Sequence, residues 1–255
     1  MGSEREVSRA LGLALTNEEA VARASAVVAP RLSRWVTRLE PRDSARSRAD
    51  VCETVVAMLH RNPWLRSQRA SGDEYDASYD RRAAAGENVH GEADFVMRFS
   101  PASVLDAGCG TGRIARELAR RGVDIVGVDL DDTMLSTARR KAPDLDWHCA
   151  DLASIDLGRT FEVILLAGNV MIFLTPGSES AVLSNLARHL APGGRLIAGF
   201  SLRPGELTAA DHDRLATAAG LSLAERWSTW DGQPWLPAGD YQLSVHRKPP
   251  GPGAS

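Results

Sequence analysis

The central part of the chain alternates short, continuously apolar runs with longer stretches in which apolar residues recur every three or four positions. Apolar runs fit strands buried on both faces of a sheet, and the intervening stretches fit amphipathic helices. The predicted strands begin at Val104, Val123, Leu145, Phe161 and Arg195. Strands that alternate with helices in this way predict a parallel sheet with helices on both faces.

The remaining segments complete a three-part organisation. Residues 1–70 show helical periodicity near 4–14, 18–40 and 44–61, without a strand pattern, and form a predicted helical extension. The α/β domain is predicted to span 71–248, with helices from Tyr75 and over about 88–99 and 208–219, and paired strands at 221–230 and 240–247. The Pro- and Gly-rich tail, 249–255, cannot build a core and is predicted to be disordered.

Composition excludes several classes of protein. The 255 residues carry a net charge of −3, which gives no sign of nucleic-acid binding. The three cysteines have no C-x-x-C spacing, so neither a disulfide framework nor a metal site is predicted. No apolar run approaches the ~20 residues that span a bilayer, and no signal-peptide pattern follows Met1, so we expect a soluble cytoplasmic protein with no membrane partner. The sequence does not indicate the oligomeric state.

A glycine-rich turn follows the first predicted strand. Asp106 ends that strand, and Gly108, Gly110 and Gly112 alternate before a helix pattern that begins at Arg113. Glycines allow positive φ and let a ligand approach main-chain N–H groups closely. A helix N-terminus favours anionic groups. The pattern therefore predicts a nucleotide-like ligand at the end of the first strand.

The glycine spacing separates two kinds of nucleotide cofactor. A dinucleotide-binding turn requires G-x-G-x-x-G. Here the third glycine comes one residue early, and Arg113 occupies the position that this pattern reserves for glycine. A nicotinamide-dependent oxidoreductase is therefore the disfavoured alternative.

The block Asp-Ala-Gly-Cys-Gly-Thr-Gly at 106–112 resembles motif I of the class I S-adenosylmethionine-dependent methyltransferases. The acids that follow the second and third strands, Asp129 and Asp151, and the Pro-Gly-Gly turn at 192–194 extend the resemblance to about residues 75–247. It implies a doubly wound, mostly parallel seven-stranded sheet of order 3-2-1-4-5-7-6. It also implies S-adenosylmethionine as the cofactor and a small molecule as the methyl acceptor.

The resemblance also implies roles for individual residues. The glycine turn wraps the methionine and ribose part of the cofactor, and Asp129 accepts hydrogen bonds from the ribose hydroxyls. Four residues are assigned to the adenine: Leu130, Met134, Asp151 and Leu152. Tyr75 and Tyr79 are expected either to reach the cofactor carboxylate or to pack a helix on the sheet edge. Arg113 is expected either to meet that carboxylate or to face solvent.

Methyl transfer from a sulfonium requires positioning more than a catalytic side chain. Two residues are candidates for a part in the chemistry. Asn169 follows strand four, at the position that faces the transferred methyl in related enzymes. The Pro-Pro block that follows this position in methyltransferases of base amines or glutamine amides is absent from this sequence. His90 is either a general base or a helix-surface residue. Trp227, Trp230 and Trp235 either line an acceptor pocket or cover a sheet end.

The sequence thus predicts an S-adenosylmethionine-dependent methyltransferase that acts on a small molecule. One alternative is a binding module that holds the cofactor without transferring its methyl group and contacts a partner through the N-terminal helices. The oxidoreductase is the other.

Overall fold

The computed structural model describes residues 62–66 and 71–251. The predicted helices at 4–14, 18–40 and 44–61 lie outside these residues. In the first described segment, helix α1 (Pro63–Arg66) begins at Asn62, whose side-chain oxygen accepts hydrogen bonds from the backbone N–H groups of Trp64 and Leu65, at 3.0 and 3.2 Å. The pair Asn62-Pro63 therefore starts a helical turn, because proline suits the first helical position.

The second described segment contains seven strands and seven helices. The strands are β1 (Ser103–Ala107), β2 (Asp124–Asp129), β3 (Asp146–Cys149), β4 (Phe161–Leu166), β5 (Leu190–Ser201), β6 (Ser222–Trp227) and β7 (Tyr241–Arg247). The helices are α2 (Gly72–Ala84), α3 (Gly91–Met97), α4 (Arg113–Arg120), α5 (Asp132–Lys141), α6 (Val170–Phe173), α7 (Glu179–Arg188) and α8 (Ala209–Ala218). None of the helices in the described segments is long and apolar enough to cross a bilayer.

The strands form one sheet of order β3-β2-β1-β4-β5-β7-β6. Strands β1 to β5 pair in parallel, and β7 is antiparallel to both β5 and β6. The predicted fold class is therefore confirmed. The carboxyl ends of β1, β2 and β4 meet at one edge, which is where doubly wound sheets bind their ligands.

The core lies on both faces of the sheet. Leu105, Ile164 and Leu196 pack on one face, and Val104, Val163 and Ile197 pack on the other. The continuous apolar runs therefore predicted the central strands correctly. The edge strand β3 is only partly buried, because one of its sides has no neighbouring strand.

The Pro-Gly-Gly segment differs from its predicted role as a turn before the fifth strand. β5 already begins at Leu190, which pairs with Phe161, and the next pair joins Val163 to Arg195. The segment is therefore a bulge within β5, and Gly193 has a φ of 77° there. The backbone N–H of Gly193 donates to the carbonyl of Pro249 at 3.1 Å, so the start of the predicted disordered tail is attached to this bulge. Residues 252–255 lie outside the described residues.

Candidate functional site

The glycine turn between β1 and α4 is shaped by its neighbours. Gly108, Gly110 and Gly112 have φ values of 87°, 55° and 73°, which disfavour residues with a Cβ. A Cβ on Gly108 would lie 2.3 Å from Cγ2 of Val170, and a Cβ on Gly112 would lie 2.3 Å from Cη2 of Trp147. Around Gly110, in contrast, no atom of the described residues lies within 4 Å of such a Cβ. The turn is therefore packed from behind at two glycines and open at the third.

Asp129 is tied to this turn. Its Oδ2 accepts a hydrogen bond from the backbone N–H of Gly110 at 2.7 Å, and its Oδ1 accepts one from Asp131 at 2.8 Å. Burial raises the pKa of the Asp129 carboxyl to about 6, although the backbone donors oppose the shift. Each carboxylate oxygen keeps a lone pair for a further donor.

Asp106 is the more deeply buried acid, with 1% of its surface exposed. Its Oδ2 has no hydrogen-bond partner within the described part of the chain. Burial raises the pKa of the Asp106 carboxyl to about 7, and the Arg113 guanidinium acts in the opposite direction. A buried carboxyl with an unpaired oxygen costs free energy unless a ligand or proton satisfies it.

The residues assigned to the adenine differ in their surroundings. Asp151 caps the turn after β3, because its Oδ1 accepts from the backbone N–H of Ala153 at 2.9 Å. Leu130 is half-buried after β2. Met134 and Leu152 are only 2% and 6% exposed and pack into the interior, which leaves little of their surface for a ligand. Their role toward a cofactor stays a prediction.

Asn169 connects the ends of two strands. It follows β4 with a φ of 69°, which is unusual for a residue other than glycine. Its side-chain Oδ1 accepts a hydrogen bond from the backbone N–H of Ser201, the last residue of β5, at 2.8 Å. Asn169 therefore connects the ends of β4 and β5 beside the glycine turn, and its role toward a ligand stays a prediction.

The tyrosines of α2 face the start of α4. The Tyr75 and Tyr79 hydroxyls lie 3.3 Å apart, and the Arg113 guanidinium lies 4.2 Å from the centre of the Tyr79 ring. Burial, with Tyr79 beside it, raises the pKa of Tyr75 above its ordinary value. Arg113 is largely buried and bonds both oxygens of Glu92, at 2.6 and 3.1 Å, so the solvent-facing alternative for Arg113 is wrong.

Asp76, which sequence reasoning missed, holds this helix in place. It is 2% exposed, and its carboxylate accepts hydrogen bonds from Thr111 at 2.9 Å, Arg116 at 3.0 Å and the Lys141 ammonium. Desolvation raises the pKa of Asp76, but hydrogen bonds from Lys141 and Thr111 outweigh it, so the net shift is downward. Because Thr111 lies within the glycine turn, Asp76 links α2 directly to that turn.

His90 precedes α3 and its ring is half-buried. Its Nδ1 finds no hydrogen-bond partner among residues 71–251. The carboxylates of Glu117 and Asp94 lie within electrostatic range of the ring, and Asp94 belongs to α3 itself. A role as general base stays a prediction.

A cavity of about 380 Å³ opens beside the amino end of β7, at the same sheet edge as the glycine turn. Trp230, Leu236 and Tyr241 line it, with Asp240 as the charged lining residue. The Trp230 indole N–H donates to the Tyr241 hydroxyl at 2.9 Å. Both side chains lie against Gly199, where a Cβ would come within 2.5 Å of each. Of the three tryptophans that were candidates for lining an acceptor pocket, Trp230 lines this cavity.

Sequence comparison identifies related proteins. A family model described as a methyltransferase domain matches residues 104–194. The chain is 33% identical over 126 residues to a dTDP-4-amino-2,3,4,6-tetradeoxy-D-glucose N,N-dimethyltransferase of Saccharopolyspora spinosa, covering 48% of this chain and 51% of that protein. It is 33% identical over 141 residues to a trans-aconitate 2-methyltransferase of Methylobacterium nodulans, covering 53% and 52%. The chain thus spans about half the length of the curated relatives it matches.

Structural comparison extends the similarity over a whole solved chain. A crystal structure of a TehB-like SAM-dependent methyltransferase from Corynebacterium glutamicum superposes with a TM-score of 0.65 and 33% sequence identity. The superposition covers 69% of this chain and 97% of that one.

Proposed function

Because the chain belongs to the class I S-adenosylmethionine-dependent methyltransferases, we propose that it transfers the methyl group of S-adenosylmethionine to an amine of a small, polar acceptor. The observation that carries the proposal is the joining of the glycine turn to Asp129 by the Gly110 hydrogen bond. This bond fixes a main-chain surface and a carboxylate at one strand end, in the arrangement that a nucleoside requires.

The residues present fit the cofactor. The Asp129 carboxylate accepts hydrogen bonds from two backbone N–H groups and retains lone pairs that can accept from both ribose hydroxyls. The space beside Gly110 is open to a ligand, whereas Val170 and Trp147 fill the space behind Gly108 and Gly112. Asp106 Oδ2, which lacks a partner among the described residues, suits a ligand that brings a donor or a positive charge.

When bound, S-adenosylmethionine supplies an activated methyl group on a sulfonium and a neutral leaving group. The protein's task is then to hold the acceptor in line with the methyl at ~3–3.5 Å and to exclude water. Asn169 positions the ends of β4 and β5, and the cavity at Trp230 and Tyr241 offers the acceptor a largely apolar surface. No general base is required when the amine arrives neutral.

Two observations support an amine as the acceptor. The Saccharopolyspora relative is named for an amino sugar, and the cavity at β7 carries Asp240 as its charged lining residue. A carboxylate can accept a hydrogen bond from an amine N–H. Trans-aconitate, for which the Methylobacterium relative is named, is a carboxylic acid without an amine, so carboxylic acids are the competing class of acceptor.

The test is a transfer assay with S-adenosylmethionine labelled in its methyl group. Nucleotide-linked amino sugars and small aliphatic carboxylic acids are compared at equal concentration. We expect label in the amines and none in the acids. Asp240→Asn should raise KM for the amine and leave the affinity for S-adenosylhomocysteine unchanged. Label in the acids alone would reject the amine assignment.

The alternatives predict other results in the same experiments. A non-catalytic module would bind S-adenosylhomocysteine but label no acceptor on the panel. An oxidoreductase would bind NAD, and the early third glycine of the turn argues against it.

A further inference from the structure

A polar stripe crosses the sheet-helix interface, and its two histidines lie away from the cofactor edge. Gln242, Ser244 and His246 alternate along β7, so they lie on the same face of the sheet, and all three are fully buried. His212 of α8, also fully buried, lies against them, with its ring centre 5.0 Å from that of His246. His246 follows Tyr241, at the cofactor edge, by five residues, or roughly 17 Å of strand.

Each imidazole of this stripe has one nitrogen engaged. His212 Nδ1 lies 3.4 Å from Ser244 Oγ, and His246 Nε2 lies 3.0 Å from Asp213 Oδ1. The other nitrogens, His212 Nε2 and His246 Nδ1, are buried without a hydrogen-bond partner in the described region 71–251. Buried polar atoms are rarely left in this state, because an unpaired one costs free energy.

An imidazole that donates from one nitrogen presents a lone pair on the other. With Ser244 and Asp213 as the acceptors, the unpaired nitrogens, His212 Nε2 and His246 Nδ1, carry the lone pairs.

We propose that His212 and His246 bind a divalent transition-metal ion, with Zn²⁺ as the expected ion. One ligand atom from each of His212, Asp213 and His246 lies within 4.8 Å of the other two. Imidazole nitrogens are suited to zinc, copper and nickel. Histidines that bind metals usually donate their other N–H to a carboxylate or another oxygen, as Asp213 and Ser244 already allow.

The charges around the stripe define the ion's surroundings. Arg226 forms an ion pair with Asp213, and the same carboxylate accepts from His246 Nε2, so Asp213 orients the imidazole while Nδ1 faces the ion. Asp213 retains 31% side-chain exposure, which gives the ion a route from solvent. Water would complete the coordination, because zinc sites favour four ligands.

The test uses the full chain without a histidine tag, freed of metal with a chelator. Calorimetry with Zn²⁺ should show one equivalent bound, and Co²⁺ should give visible absorption bands of a nitrogen-ligated site. His212→Gln and His246→Gln should each weaken Zn²⁺ binding by about 10–100-fold. His148→Gln is the matched control, because His148 is 39% exposed on β3 and should leave binding unchanged.

Three results would overturn the proposal. They are no Zn²⁺ binding by the wild-type chain, retention of binding in the His212→Gln/His246→Gln double variant, and an equal loss in His148→Gln. If a stripe variant fails to fold in chelator, as judged by circular dichroism, the Co²⁺ spectrum of the wild-type chain decides. A spectrum identical to that of aqueous Co²⁺ would then reject the site.

Discussion

Asp106 shows how a buried carboxylate can serve a ligand at the expense of stability. Its pKa of about 7 lies far above the ~3.9 of an unfolded aspartate. The folded state therefore holds a proton between about pH 4 and 7 that the unfolded state releases. The free energy of unfolding consequently falls as pH rises through this window, and the full penalty is present above pH 7.

Asp106→Asn should remove this penalty. We expect the variant and the wild type to have similar free energies of unfolding near pH 4, and the variant to be more stable by roughly 2–4 kcal/mol at pH 8. Urea unfolding of the ligand-free chain at pH 5 and 8 measures the difference. Asp144→Asn, at an exposed position, is the control, and an equal pH dependence in both variants would contradict the account.

Asn169 combines a left-handed backbone with a side-chain hydrogen bond, and two substitutions separate them. Asn169→Gly keeps the backbone conformation and removes the bond to Ser201, whereas Asn169→Ala also places a Cβ at a φ of 69°. We expect the alanine variant to unfold more easily than the glycine variant by ~1–2 kcal/mol. Thermal unfolding of both variants measures this gap, and equal stabilities would show that backbone strain is absent.

The sequence predicted the residues at the strand ends but not the side chains that pack against them. The glycines and Asp129 were predictable because they adjoin strand and helix patterns that are local in the sequence. The packing of Val170 on Gly108 and of Trp147 on Gly112 joins residues far apart in the chain, so no local pattern reports it.

At the scale of elements, a capping box starts α2, and Asp76 holds the helix against the glycine turn. Ser71 and Glu74 form a capping box that starts the helix. Thr111, Arg116 and Lys141 bind Asp76 from three different segments. The sequence predicted this helix from Tyr75, three residues after its observed start at Gly72, whereas the role of Asp76 depends on partners that follow it by 35 residues or more.

Asp76→Ala should therefore loosen α2. We expect a loss of roughly 2–3 kcal/mol in the free energy of unfolding, since bonds to charged groups are removed and the cations are partly exposed. Hydrogen exchange within 72–84 should accelerate, and affinity for S-adenosylhomocysteine should fall, because Tyr75 and Tyr79 lie on the same helix.

Asp80→Ala provides the control for this helix. Asp80 also faces Lys141, at 3.7 Å, but its side chain is 74% exposed, so the pair contributes little. If both variants exchanged equally fast over 72–84, the link through Asp76 would not be what holds the helix.

For the whole molecule, the alternation of apolar strands with helices predicted a parallel sheet, and the resemblance implied its strand order. The bulge in β5 and the cavity at Trp230 and Tyr241 could not be read from the chain, because they depend on how β4, β5 and β7 pair. The division at residue 70 stays a prediction. We expect that residues 71–255, produced alone, fold cooperatively and bind S-adenosylhomocysteine with the affinity of the full chain.

The central claim is that the glycine turn and Asp129 together hold a sulfonium nucleoside. Isothermal titration of the full chain with S-adenosylhomocysteine, beside the variant Asp129→Ala, tests it most directly. Loss of charge-assisted hydrogen bonds of about 1.5–3 kcal/mol should weaken binding by roughly 10–100-fold. No heat of binding with the wild-type chain, or equal affinity in the folded variant, would contradict the account.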